Sequence, residues 1–191
     1  MRVDWNHSRV ARLIVLNGPA GVGKTTQARR YAADHPFTLV AELDAVRRSL
    51  GNWRDDPTTA TLLARELTMT MARDHLRKGY DVVLPQFLGN PKFLVEAEQV
   101  ARDTGAAYHE FVLMDDRDTV IRRFTERNAS SSDPAHIEAG ELVAQLGGQD
   151  TLNRMYDRLL QVLNARPEAQ LVRCTEGAAD DVYRQLRTAI G

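Results

Sequence analysis

The chain has 191 residues, 43% of them hydrophobic, with a formal net charge of −1 and a pI near 6.5. That supports one sizeable core rather than two, so a single domain spanning 1–191 is expected. The near-neutral balance leaves no electrostatic case for a general nucleic-acid or membrane-surface binder. A lone cysteine, Cys174, excludes an internal disulfide framework, and a polar N-terminus, MRVDWNHSRVAR, without a long apolar run points to a cytoplasmic protein.

In chain order, short β-rich runs alternate with long helical ones, the pattern of a parallel sheet covered by helices. Arg12–Asn17 predicts the first strand, and Thr25 to His35 a helix stopped by Pro36. The run FTLVAEL, 37–43, predicts a second strand leading into DAVRRSL. Asp56-Pro57 then supplies an N-cap and a first-turn proline for a long helix ending at Gly79. Its Leu62, Leu63, Leu67 and Met71 recur at helical spacing and are read as core packing. YDVVLP, 80–85, predicts a third strand, Asn90-Pro91 a helix start, and YHEFVLM, 108–114, a fourth strand. A helix over DDRDTVIRRFTERN follows, with the two acids as caps. Next come a polar break, ASSSDPAH, and further helix to Asn164, a lid segment at about 123–150. AQLVRC predicts a fifth strand and ADDVYRQLRTAI a closing helix, with Cys174 buried and inert.

Gly18-Pro19-Ala20-Gly21-Val22-Gly23-Lys24-Thr25 matches G-x-x-x-x-G-K-[ST], with a strand before it and a helix after it. Such a turn needs glycine because its backbone N–H groups must point inward around phosphate oxygens, and the helix N-terminus adds partial positive charge. Gly18, Ala20, Gly21, Val22, Gly23, Lys24, Thr25 and Thr26 are therefore the expected contacts to ATP. In that pattern Lys24 reaches the β and γ phosphates and the Thr25 hydroxyl binds Mg2+. With lysine only at 24, 78 and 92, the guanine-reading Asn-Lys-x-Asp is absent, which removes the signalling GTPases.

Phosphate transfer to an alcohol needs a carboxylate near the acceptor hydroxyl and cations over the moving group. ELDAVRR puts Glu42 and Asp44 at the carboxyl end of the second strand, where open parallel sheets bind ligands. On an extended segment the two share a face. Asp44 is the candidate to orient or deprotonate the hydroxyl, and Glu42 to hold a water of the magnesium shell. Arg123 and Arg127, four apart on one helix, are the candidate cations beside the lid. Arg47, Gln86 and Trp53 are the remaining acceptor contacts, Gln86 through its amide and Trp53 by stacking on a planar group. The histidines show no metal-ligand spacing.

GPAGVGKTT, ELD and RFTER together resemble the P-loop small-molecule kinases, the group of shikimate and gluconate kinases, chloramphenicol phosphotransferase and adenylate-kinase-like enzymes. VVLPQFLGNPKF and HEFVLMDDRDTVIRRFTER are most similar to the tunicamycin-resistance type of ATP-binding protein, over most of the first 130 residues. The resemblance implies an α/β, three-layer fold with a five-stranded parallel sheet, ATP and Mg2+ at the glycine-rich loop, and a mobile helical lid. It also implies an acceptor pocket between the end of the second strand and that lid. One departure is that many relatives end the third strand with a magnesium-holding aspartate, where this chain has Pro85-Gln86.

The expected activity is transfer of the γ-phosphate of ATP to a hydroxyl of a small molecule, with antibiotics and nucleoside-like compounds as candidates. Two alternatives stay open: ATP-dependent sequestration of a compound without modifying it, and a 5′-hydroxyl polynucleotide kinase, which the near-neutral charge disfavours. Neither the acceptor nor the oligomeric state is specified by the sequence.

Overall fold

A computed structural model describes residues 9–191. The polar stretch behind the expected cytoplasmic location includes residues 1–8, which lie outside the described residues. Among the described residues no helix is long and apolar enough to cross a membrane.

Five strands form one parallel sheet: β1 (Arg12–Asn17), β2 (Leu39–Val40), β3 (Val82–Pro85), β4 (Ala107–Met114) and β5 (Gln170–Arg173), in the order β2-β3-β1-β4-β5. β1 is central, and the chain moves to one side for β2 and β3 and crosses to the other for β4 and β5. Its carboxyl end is thus the switch point at which such sheets open a crevice. Helices cover both faces, so β1 is apolar on both. Leu13 and Val15 point towards α2 (Leu43–Arg48), α3 (Pro57–Arg77) and α4 (Pro91–Thr104), where Leu43, Ala64, Ala72, Phe93 and Leu94 meet them. Ile14 and Leu16 point the other way, to Ala28 and Tyr31 of α1 (Lys24–Asp34) and Val182 and Leu186 of α8 (Ala179–Ile190). The remaining helices are α5 (Arg117–Ser130), α6 (Pro134–Gln145) and α7 (Gln149–Ala165).

Local chemistry sets several boundaries. The Asp56 side chain accepts from the Thr59 N–H at 3.0 Å and Asn90 from Lys92 at 3.0 Å, each capping a helix whose first residue is proline. Gly105, at φ 69°, ends α4.

Four expectations are corrected. The second strand is two residues long, and the chain turns helical at Leu43, so Asp44 lies in the first turn of α2 with Glu42 at its N-cap and the two do not share an extended segment. Leu62, Leu63, Leu67 and Met71 are exposed, and α3 packs instead through Ala60, Ala64, Thr68, Met69, Ala72 and Leu76. Helix α5 runs on through Ser130, while the helix expected to reach Asn164 is two, divided at Gly147 and Gly148, both at positive φ. Asp116 is the N-cap of α5 without a side-chain capping bond, and Asp115 pairs with Arg123 at 3.0 Å.

Candidate active site

The turn after β1 is held by close approach. A Cβ on Gly18 would lie 2.4 Å from the Leu113 carbonyl oxygen, and one on Gly21 would lie 3.2 Å from the Phe124 nitrogen of α5. With Gly18, Gly21 and Gly23 at φ 150°, 88° and 98°, side chains are kept out and the loop is wedged between β4 and α5. Asn17, fully buried at the end of β1, was missed in the sequence. Its Oδ1 accepts from the N–H groups of Gly18 and Leu88, both at 2.8 Å, and its Nδ2 donates to the Leu88 carbonyl at 3.1 Å. It binds the glycine-rich turn to the segment after β3.

Lys24 opens α1 and folds back over the turn, donating to the carbonyls of Gly18 at 2.9 Å and Pro19 at 2.8 Å. Burial pulls its ammonium down to about 7, with the Arg127 cation adding to the shift and the Asp44 carboxylate opposing it. Lys24, Arg127 and Asp44 therefore share one electrostatic neighbourhood. Ala20, Val22, Thr25 and Thr26 complete the turn and the first helical residues, with Val22 buried and Thr26 exposed.

On the acceptor side, Asp44 is half-exposed and paired with Arg47 at 3.2 Å, and the Gln86 amide approaches its other oxygen at 3.5 Å. Arg47 also pairs with Glu138 of α6 at 2.7 Å, both side chains 12% exposed, so α6 is fastened to α2. The guanidiniums of Arg47 and Arg54 lie 4.9 and 4.4 Å from the Trp53 ring centre. Trp53 is thus already stacked on two guanidiniums, one of them the Arg47 that pairs with Asp44.

The two arginines of α5 part company. Arg123 is bound to Asp115 and to the Cys174 carbonyl at 2.9 Å, a static brace between β4, β5 and α5. The charge of Arg127 is felt at the lysine, and its Nε is buried without a hydrogen-bond partner. Burial lowers its guanidinium from the ordinary value while Asp133 opposes. His136 of α6, which sequence spacing passed over, lies in the field of the same Arg127 and accepts or donates at 2.7 Å with Ser131. Cys174 is buried, with its thiol raised to about 11 by burial.

For a nucleotide the fit is good: a turn no side chain can enter, an ammonium resting on carbonyls, and a second cation, Arg127, in the same electrostatic neighbourhood with an unpartnered buried nitrogen. For magnesium the protein supplies less. Glu42 is turned to Arg29 at 3.1 Å, and no group of three or more acids, histidines or cysteines is placed to hold an ion among the described residues. A magnesium ion bound here would rest on the Thr25 hydroxyl and the nucleotide's own oxygens.

A family model described as AAA_33, an AAA domain, matches residues 13–152. No curated protein matches the sequence significantly. The fold is similar to that of the Deinococcus radiodurans tunicamycin resistance protein, at TM-score 0.58 and 17% identity over 95% of this chain and 96% of that one. It is also similar to a gluconokinase from Sinorhizobium meliloti 1021, at 0.59 and 13% over 95% and 97%, and to a Chloroflexus aurantiacus protein, at 0.63 and 14% over 95% and 97%. These structures share the five-stranded parallel sheet with flanking helices.

Proposed function

Because the chain belongs to the AAA_33 family, a P-loop kinase-like group, we propose that it is an ATP- and magnesium-dependent phosphotransferase acting on a hydroxyl of a small molecule. The observation that carries the reading is the convergence of Lys24, Arg127 and Asp44: two cations where a triphosphate tail would end, and a carboxylate on the acceptor side of them. Magnesium, when bound with ATP, would offset charge on the β and γ phosphates.

Lys24 exchanges two carbonyls for phosphate oxygens and regains its full charge there. Asp44, held in place by Arg47 and Gln86, orients the acceptor hydroxyl and takes its proton as that oxygen bonds to the γ-phosphorus and the bond to the β–γ bridging oxygen breaks, releasing ADP. Arg127, with an unpaired donor, stabilises charge on the group in flight, and Arg123 supports α5 from behind. Glu42 would join the metal's water shell only by giving up Arg29. Arg47 and Gln86 are the acceptor's own contacts, and α6 closes over them.

Incubation with ATP and a panel of nucleosides, sugars and antibiotics, followed by mass spectrometry of each compound, tests the reading. Similarity to a tunicamycin resistance protein and to a gluconokinase favours those last two groups. One panel member should gain a phosphoryl group, and Asp44→Ala should cut turnover by roughly two to four orders of magnitude while ATP still binds. A variant with full turnover would remove Asp44 from the mechanism. The missing acid beside Gln86 supports one other reading, sequestration driven by ATP, for which a bound but chemically unchanged compound is the expected result.

A further inference from the structure

Helix α3 turns its strongest apolar pattern outward. Leu62, Leu63, Leu67 and Met71 are 56%, 46%, 45% and 39% exposed, while the small residues Ala60, Ala64 and Ala72 face the sheet. Leu63, Leu67 and Met71 follow one i, i+4 ridge with Leu62 beside it, so they form a continuous patch instead of scattered surface positions. Arg65, within the same span, is turned away onto Glu96 and the Phe93 ring, which leaves Glu66 as the one charge inside the exposed stripe.

The ends of the helix carry opposite charge. Asp55 and Asp56 precede it, and Arg77 closes it. Asp55 and Arg77 are exposed, and among the described residues neither has an ion pair. We propose that this face binds a second copy of the same chain, with the two α3 helices antiparallel about a two-fold axis. Centring the stripe on itself sets Leu62 against Met71, Leu63 against Thr70 and Glu66 against Leu67, and it brings Arg77 of each copy to Asp56 and Asp55 of the other. A parallel arrangement would set acid on acid and base on base. The antiparallel one is self-complementary, as an isologous interface requires.

Sedimentation velocity of the full chain over a concentration series tests this. A monomer–dimer equilibrium is expected. Leu67→Glu should raise the dissociation constant about tenfold or more, with ATP affinity unchanged and the thermal midpoint unchanged at concentrations where both proteins are monomeric, because position 67 faces solvent in the single chain. Arg77→Glu should also weaken association, and combining it with Asp55→Lys should restore part of the loss. Glu66→Gln should strengthen it by removing a charge beside the axis. A wild-type protein that stays monomeric throughout, or a dimer indifferent to both Leu67→Glu and Arg77→Glu, would overturn the proposal.

Discussion

Lys24 is the residue at which charge and burial are most tightly linked to the proposed nucleotide binding. Its ammonium is depressed to about 7, below the unfolded value of 10.5, so above pH 7 the folded protein holds fewer protons than the unfolded chain. Stability should therefore rise with pH between about 7 and 10. A triphosphate restores the charge, so ATP binding near pH 8 should take up a proton. Calorimetry in buffers of different ionisation enthalpy should show that uptake in the wild type and none in Lys24→Met. Asn17 is a second residue whose importance exceeds its chemistry. Asn17→Ala would strand the buried N–H groups of Gly18 and Leu88 and the Leu88 carbonyl. The expected loss is about 2–4 kcal/mol, read from the urea midpoint and accompanied by weaker ATP binding.

Among the elements, α6 is the most loosely held. None of its residues is buried, and its tie to the acceptor side is the Arg47–Glu138 pair. Glu138→Gln removes the charge while keeping the shape. Hydrogen exchange across 134–145 should quicken by about tenfold, with the amides of β1 unaffected; unchanged exchange would mean that the pair does not restrain α6. Element identity was largely legible in the sequence, because caps and breakers act locally: Asp56-Pro57, Asn90-Pro91 and Gly105 mark helix ends wherever the chain goes. Which face of α3 is buried was not legible. A leucine stripe reports amphipathicity, but the sheet took the alanine face, where small side chains allow close approach. The site was legible as far as its motif. The division of labour between Arg123 and Arg127, the diversion of Glu42 to Arg29 and the use of Asn17 depend on partners distant in sequence, such as Asp115, Cys174 and Leu88, which spacing cannot reveal.

At the scale of the molecule, topology explains why these residues meet. β1 is flanked by β3 and β4, so one end of the sheet gathers the glycine-rich turn, the segment after β3 and the start of α5, while the second strand's exit brings Asp44 alongside. The cavity of about 540 Å³ lined by Arg12, Tyr31, His35 and residues of α8 is remote from all of them. Its lining includes the start of β1 and the end of the last helix. The proposed chemistry belongs to the cleft at the carboxyl end of β1, where the cations and Asp44 lie, and not to this cavity. Transfer of label from γ-labelled ATP to a hydroxyl compound, compared between the wild type and Asp44→Ala, tests that assignment most directly. A labelled acceptor is expected with the wild type and a loss of roughly a hundredfold or more in the variant; ATP bound by both proteins with label reaching no acceptor, or reaching it equally fast in each, would show that the cleft does not transfer phosphate through Asp44.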